Sequence, residues 1–186
     1  MTVTVRPATP ADVAGMSRVF VDTFRAAHAG QVPEALLLER TYDTSARGWE
    51  RSLREPDPGQ HLLVAVDVSG EVVGLALGGA ARPWPADDAA RTGRPTGECQ
   101  ALYVDVAHHH GGVGRALLAA LAASLVADGV RRLLVAVLAV NEPARAFYEA
   151  VGGVLLGERV VDDSGVPLDE VVYVWDDVTA LASSTA

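Results

Sequence analysis

The chain has 186 residues, 49% hydrophobic and 21% charged, which excludes a disordered segment and suits one domain with a sizeable core. Its formal charge of −9 opposes binding to nucleic acid, whose phosphates it would repel, and suits a cationic partner such as an amine. All 15 basic residues are Arg, and with Cys99 the only cysteine no internal disulfide can form.

The opening MTVTVRPATP lacks an apolar signal core, and the longest uncharged apolar stretch, Ala116 to Ala127, is too short to span a bilayer. With the lone cysteine suiting a reducing compartment, a cytoplasmic protein with no membrane partner is expected. Val3 and Val5 alternate with threonines as a first strand. Thr9-Pro10-Ala11-Asp12 then starts a helix, with a Thr cap, Pro at the first helical position and an acid three residues on. Val13, Met16, Phe20 and Phe24 follow on one face, as a core stripe would. Pro33 begins a second helix through Arg40, and Ser45 to Leu53 forms a third with Trp49 and Leu53 inward.

His61 to Val66 and Val72 to Leu77 read as a hairpin turning at Asp67-Val68-Ser69-Gly70. The stretch from Ala81 to Gly97, rich in Pro, Gly, Asp and Arg, is a long loop. Its Trp84, held between two prolines, and the adjacent Asp87 and Asp88 suit a cationic amine through cation–π contact and charge pairing. A solvated surface loop is the plainer reading, and both stay open.

Cys99 to Val106 is an apolar strand, and Gly111, Gly112 and Gly114 punctuate the turn beyond it. Val113, Leu117 and Leu121 recur at helical spacing until Asp128-Gly129 supplies a stop. Leu133 to Val140 is apolar throughout, as a strand covered on both faces would be. Two strands joined through a helix lie parallel with a right-handed crossover. The turn from His110 to Arg115 then has unpaired N–H groups at the positive end of a helix, an anion cradle, unless the glycines only make a tight turn. The dinucleotide and ATPase glycine signatures are absent. Val154 to Val160 and Leu168 to Trp175 are two more strands, and the end from Thr179 is small and polar enough to fray.

Each candidate chemical group has a plain alternative. Asn141, before Glu142-Pro143, reads as a helix cap. By spacing Tyr148 is a core aromatic beside Ala144 and Val151; its phenol, with a reference pKa of about 10, could also donate a proton at neutral pH. Glu98 is either a strand-end carboxylate or a base that removes the proton an amine carries at pH 7. Cys99 reads as a small buried strand residue. Adjacent His108, His109 and His110 do not suit convergence on one metal, so no metal site is expected.

Three motifs in order then resemble the core of the GNAT superfamily of acetyl-CoA-dependent N-acetyltransferases. Glu98, Leu102, Tyr103 and Val104 match its strand pattern ELxxLYV. Gly112 and Gly114 match Q/R-x-x-G-x-G/A, with His109 in place of the usual Gln or Arg. Asn141, Ala144, Phe147, Tyr148 and Gly152 match N-x-x-A-x-x-[FL]-Y-x-x-x-G. VRPATPADV near the start is similar to the opening of many members.

The resemblance implies an α/β domain of layered α+β type over residues 1–178, with a flexible tail from 179 to 186. Its mixed, mostly antiparallel sheet carries a central parallel pair, with helices on both faces. Acetyl-CoA would be the co-substrate, lying in a splay between the strands at 99–106 and 133–140. Leu102, Tyr103, Val104 and Val106 would hold the pantetheine like an added strand. His109, His110, Gly111, Gly112, Val113, Gly114 and Arg115 would cradle the pyrophosphate, and Asn141, Ala144 and Tyr148 would also touch the coenzyme. The implied reaction is direct attack of a small-molecule primary amine on the thioester. Val104 N–H would be the oxyanion donor, Tyr148 the acid and Glu98 the base. A non-catalytic acyl-CoA sensor, a transferase of a longer acyl group, and a peptide N-terminus as acceptor stay open. A homodimer pairing through the strand at 168–175 is a further expectation.

Overall fold

The computed structural model describes residues 2–82 and 93–183. Among these, seven strands form one sheet in the order β1-β2-β3-β4-β5-β7-β6. In chain order the elements are β1 (Thr4–Pro7), α1 (Val13–His28), α2 (Glu34–Glu39), α3 (Tyr42–Arg54), β2 (His61–Val66) and β3 (Val72–Ala80). Next come β4 (Thr96–Val104), α4 (Val113–Ala127), β5 (Arg132–Leu138), α5 (Glu142–Ala150), β6 (Val154–Asp163), β7 (Val166–Trp175) and α6 (Thr179–Ala182). β4 and β5 pair in parallel and the other neighbours are antiparallel. This is the mixed sheet with a central parallel pair that the motifs imply.

Side-chain alternation sorts the core onto two faces. Leu62, Val64 and Leu75 pack with Val13, Met16 and Trp49 from α1 and α3. Leu63, Ala65, Cys99, Leu133 and Val135 pack with Leu117, Leu118 and Leu121 of α4. Cover on both faces explains why β2 and β5 read as unbroken apolar runs rather than alternating ones. Glycine sets how closely α4 lies on β3. A Cβ at Gly74 would come within 2.8 Å of Leu117 Cδ1, and one at Gly78 within 2.8 Å of the Glu98 carbonyl.

The entry to α1 is a 3₁₀ turn, Pro10–Asp12, before the α-helix proper. Asp12 accepts from the Thr9 N–H and hydroxyl, both at 2.8 Å, and from the Arg6 fork at 2.7 and 2.8 Å.

Several expected boundaries move. β4 begins at Thr96, so Glu98 is its third residue, and it ends at Val104; Val106 lies in a 3₁₀ turn, Val106–His108. β5 stops at Leu138 because Ala139 and Val140 already turn toward α5. Within the tail expected from Thr179, Thr179–Ala182 is a helical turn with Leu181 buried in the α4 core. The strand expected to pair across a dimer is also corrected. β7 lies between β5 and β6, so both its edges are taken, and β6 is the edge strand on that side of the sheet, as β1 is on the other.

Candidate functional site

The parallel pairing of β4 with β5 runs from Thr96↔Arg132 to Cys99↔Val135 and then ends. The cause lies in β4. Ala101 opposes Leu77 and Cys99 opposes Gly78, so Gln100 is an extra residue, a bulge that bends the strand. Beyond it the strands diverge, and a cavity of about 360 Å³ opens between them. Ala101, Leu102 and Tyr103 of β4 line it, as do Val135, Ala136 and Val137 of β5, and Asn141, Ala144 and Tyr148 join them from α5 and its cap. Phe20, Phe24 and His28 of α1 also line it. Helical spacing marks Phe20 and Phe24 as plain core; they are also cavity wall.

Antiparallel geometry fixes which backbone groups of β4 face this gap. The Asp105 N–H donates to the Val73 carbonyl at 2.9 Å. Bonded and non-bonded pairs alternate along such a ladder, so Tyr103 also points its polar groups at β3 while Leu102 and Val104 point theirs away. The Val104 carbonyl is accordingly met by side chains instead, Thr23 Oγ1 at 3.1 Å and His109 Nε2 at 2.9 Å. Since a carbonyl only accepts, His109 carries its proton on Nε2.

At the far end of β4 the chain enters α4 through Gly112, which takes φ +82° as the cap and supplies no side-chain cap bond. A Cβ at Gly112 would meet nothing within 4 Å, so the space over the helix entrance is open. His110 also adopts positive φ (59°), which turns the chain ahead of the helix. Gly114 lets Phe147 of α5 approach, its ring 3.4 Å from where a Cβ would stand. Val113 is buried, while Gly111 and Arg115 are exposed. The three adjacent histidines diverge: the His109 and His110 rings are perpendicular, 6.3 Å apart, and His108 Nδ1 lies 3.7 Å from Asp105. Among the described residues no three His, Cys, Asp or Glu side chains gather as metal ligands would.

Asn141 caps α5, its Oδ1 accepting from the Ala144 N–H at 3.2 Å. This helix aims Tyr148 at the gap, with its ring held among Phe147, Tyr173 and Trp175 at 5.3, 6.1 and 6.2 Å between centroids. Burial raises the Tyr148 pKa well above its ordinary value, so the phenol stays protonated throughout the neutral range. Burial likewise pushes the Cys99 thiol up to about 12, which leaves it a poor nucleophile although it borders the cavity. Tyr103, edge-on to Phe20 at 4.9 Å, is also pushed up to about 12 by burial.

Glu98 is buried rather than an exposed strand end, at 3% exposure. Its Oε2 accepts the Arg82 N–H at 2.9 Å, and Arg82 Nε reaches both oxygens at 3.1 Å. Arg82 Nη2 also donates to Oε1, and Arg159 stands behind at 4.0 Å while bonding Glu170 at 2.7 Å. Arg82 and Glu170 line the cavity, as do Arg40 and its partner Asp163. Sequence reasoning singles out none of these four. They come from separate strands and loops, so no spacing brings them together. Trp84, Asp87 and Asp88 lie outside the described residues.

Residues 18–153 match the family model described as the Acetyltransferase (GNAT) family. YuaI, an uncharacterized N-acetyltransferase of Bacillus subtilis (strain 168), is 32% identical over 180 residues, 96% of each chain. An N-acetyltransferase from Staphylococcus aureus Mu50 superposes with a TM-score of 0.68 at 23% identity, covering 96% of this chain and 99% of that one. A phosphinothricin acetyltransferase from Sinorhizobium meliloti, solved with AcCoA, gives 0.66 at 25% identity over 94% and 88% of the two chains.

Proposed function

Because the chain belongs to the GNAT family of acetyltransferases, we propose that it moves the acetyl group of acetyl-CoA to the primary amine of a small molecule by direct attack. The observation that carries this reading is the gap beyond the Gln100 bulge, with an unpaired strand edge, an open helix N-terminus and a protonated phenol around it. The S. meliloti relative solved with AcCoA supports the choice of coenzyme.

The polar groups of Leu102 would bond the pantetheine as an added strand, and the Val104 N–H is left for the thioester because the Val104 carbonyl is already taken. Tyr103 would supply cavity wall, while Val106 lies past the strand in its 3₁₀ turn. The 109–115 turn, open above Gly112, would hold the pyrophosphate on the first amides of α4, with Arg115 exposed beside them. Asn141 and Ala144 border the thioester end. The Val104 N–H stabilises charge on the carbonyl oxygen as the amine adds. Tyr148 donates to the leaving sulfur, and its raised pKa makes it a hydrogen-bond donor at every physiological pH. Glu98 takes the amine proton through water, a role that requires its contact with Arg82 to loosen. Trp84, Asp87 and Asp88 would add cation–π contact and charge pairing for the amine.

One sheet and a shared core from β1 to α6 support a single domain, and a lone buried thiol suits the cytoplasm. No helix among the described residues is long and apolar enough to cross a membrane. The test is amine-dependent release of free thiol from acetyl-CoA across a panel of small amines. Turnover with at least one is expected; acetyl-CoA binding without turnover on any amine or peptide would make the protein a sensor instead.

A further inference from the structure

The cavity lining is chemically mixed. Beside the aromatic rings of Phe20 and Phe24, four charged residues face it: Arg40 and Arg82, Asp163 and Glu170. Two positive and two negative groups give a dication no net attraction, and an uncharged amine no use for the guanidinium groups. A ligand carrying one charge of each sign matches both pairwise.

The four are not equally committed. Arg40 is a structural clip. It pairs with Asp163, donates to the Leu36 carbonyl at 3.1 Å and lies over the Phe24 ring at 4.5 Å, with its side chain only 19% exposed. Arg82 is different: its side chain is 56% exposed while that of its partner Glu98 is 4% exposed. A guanidinium has five N–H donors in a fixed fork. Glu98 takes the edge made by Nε and Nη2, so the edge made by Nη1 and Nη2 can accept a second carboxylate in bidentate fashion. Glu170 lines the same cavity, and with Glu98 it contributes to raising the Arg82 pKa, so the charges of Arg82 and Glu170 sense each other. Among the described residues, Glu170 is engaged through Oε2, by Arg159 at 2.7 Å.

We infer that the acceptor is an amino acid or a close analogue, its carboxylate held by the outer edge of Arg82 and its ammonium by Glu170. This rests on the acetyltransferase reading above and names the substrate class of that site. It also gives Arg82 a reason to be half in solvent: its outer edge is kept for the substrate. A carboxylate arriving there shares Arg82 with Glu98, which loosens the contact that keeps Glu98 occupied.

The test compares amino acids with their decarboxylated amines, phenylalanine with phenethylamine and histidine with histamine among them, as acetyl acceptors for the full chain. The amino acid of a productive pair should show kcat/KM at least about 10-fold higher, the scale of one charged hydrogen bond. Arg82→Met should cut that ratio by about 10- to 100-fold, mainly through KM, with Arg82→Lys intermediate because it keeps the charge without the fork. Glu170→Gln should weaken both members of the pair, since both carry the amine. An acetyl-CoA-induced rise in Tm retained by each variant would certify the fold. Equal use of both members, or a ratio unchanged in Arg82→Met, would overturn the inference while leaving the acetyltransferase reading in place. Acetylation of neither member, nor of any amine, would overturn both.

Discussion

Asp12 shows how much one buried side chain can carry. Its carboxylate is 7% exposed and, chiefly through the Arg6 fork, is held from the ordinary 3.8 down to about 2. Linkage makes such a shift worth roughly 2 kcal/mol, an upper figure because the Arg6 end is partly solvated. A depressed carboxylate pKa stabilises above the unfolded value, so the contribution is full above 3.8 and is lost as the pH falls toward 2. Asp12→Asn should cost about 1–2 kcal/mol in urea melts at neutral pH, and the two proteins should converge near pH 2. At the site, Tyr148→Phe keeps the ring in its aromatic cage and removes one hydroxyl. Turnover should fall about 10²-fold or more with Tm little changed, and a fully active variant would return Tyr148 to a purely structural role. Glu98→Gln should slow the reaction near pH 7 and recover part of the rate at higher pH, where free amine is plentiful. A pH profile of unchanged shape would hand the proton to another group. Sequence points to Tyr148 and Asn141 through the resemblance of N-x-x-A-x-x-F-Y to a family motif, whereas spacing alone makes them a core aromatic and a cap. It cannot point to Arg82 or Glu170, because one follows β3 and the other lies on β7, and only the sheet order brings them to one cavity.

At the scale of elements, α4 is the most legible part of the chain. Its apolar spacing, its glycine entrance and its Asp128-Gly129 stop are all local, and the helix runs from Val113 to Ala127 with φ +91° at Gly129. β4 is legible as a strand but its ends are not. The bulge at Gln100 leaves no local mark, because its cause is the register against β3. Gly74 and Gly78 likewise look ordinary in sequence and matter only once α4 lies across them. The helix entrance makes a direct prediction. Gly112→Asp should be tolerated, since Asp adopts positive φ more readily than most residues and suits a helix cap. It would also put bulk and negative charge into the open space above the amides. Acetyl-CoA should raise the Tm of the wild type and leave that of the variant unmoved. A shift of equal size in both would remove the cradle from α4.

For the whole molecule the governing feature is a sheet that pairs at one end of β4–β5 and opens at the other. The order of strands is legible in part: the helix between β4 and β5 demands their parallel pairing, and each hairpin demands its antiparallel one. The insertion of β7 between β5 and β6 is not, because nothing local says on which side of β7 the chain returns; the edge of the sheet is misplaced from sequence for that reason. In the proposed function the opened edge of β4 receives the coenzyme, and amide hydrogen exchange, read residue by residue in solution, probes that edge directly. Adding acetyl-CoA should slow exchange at Leu102 and Val104, whose N–H groups face the gap, and barely alter Asp105, already bonded to Val73. Protection spread evenly along β4, or absent from Leu102 and Val104 at saturating acetyl-CoA, would contradict it.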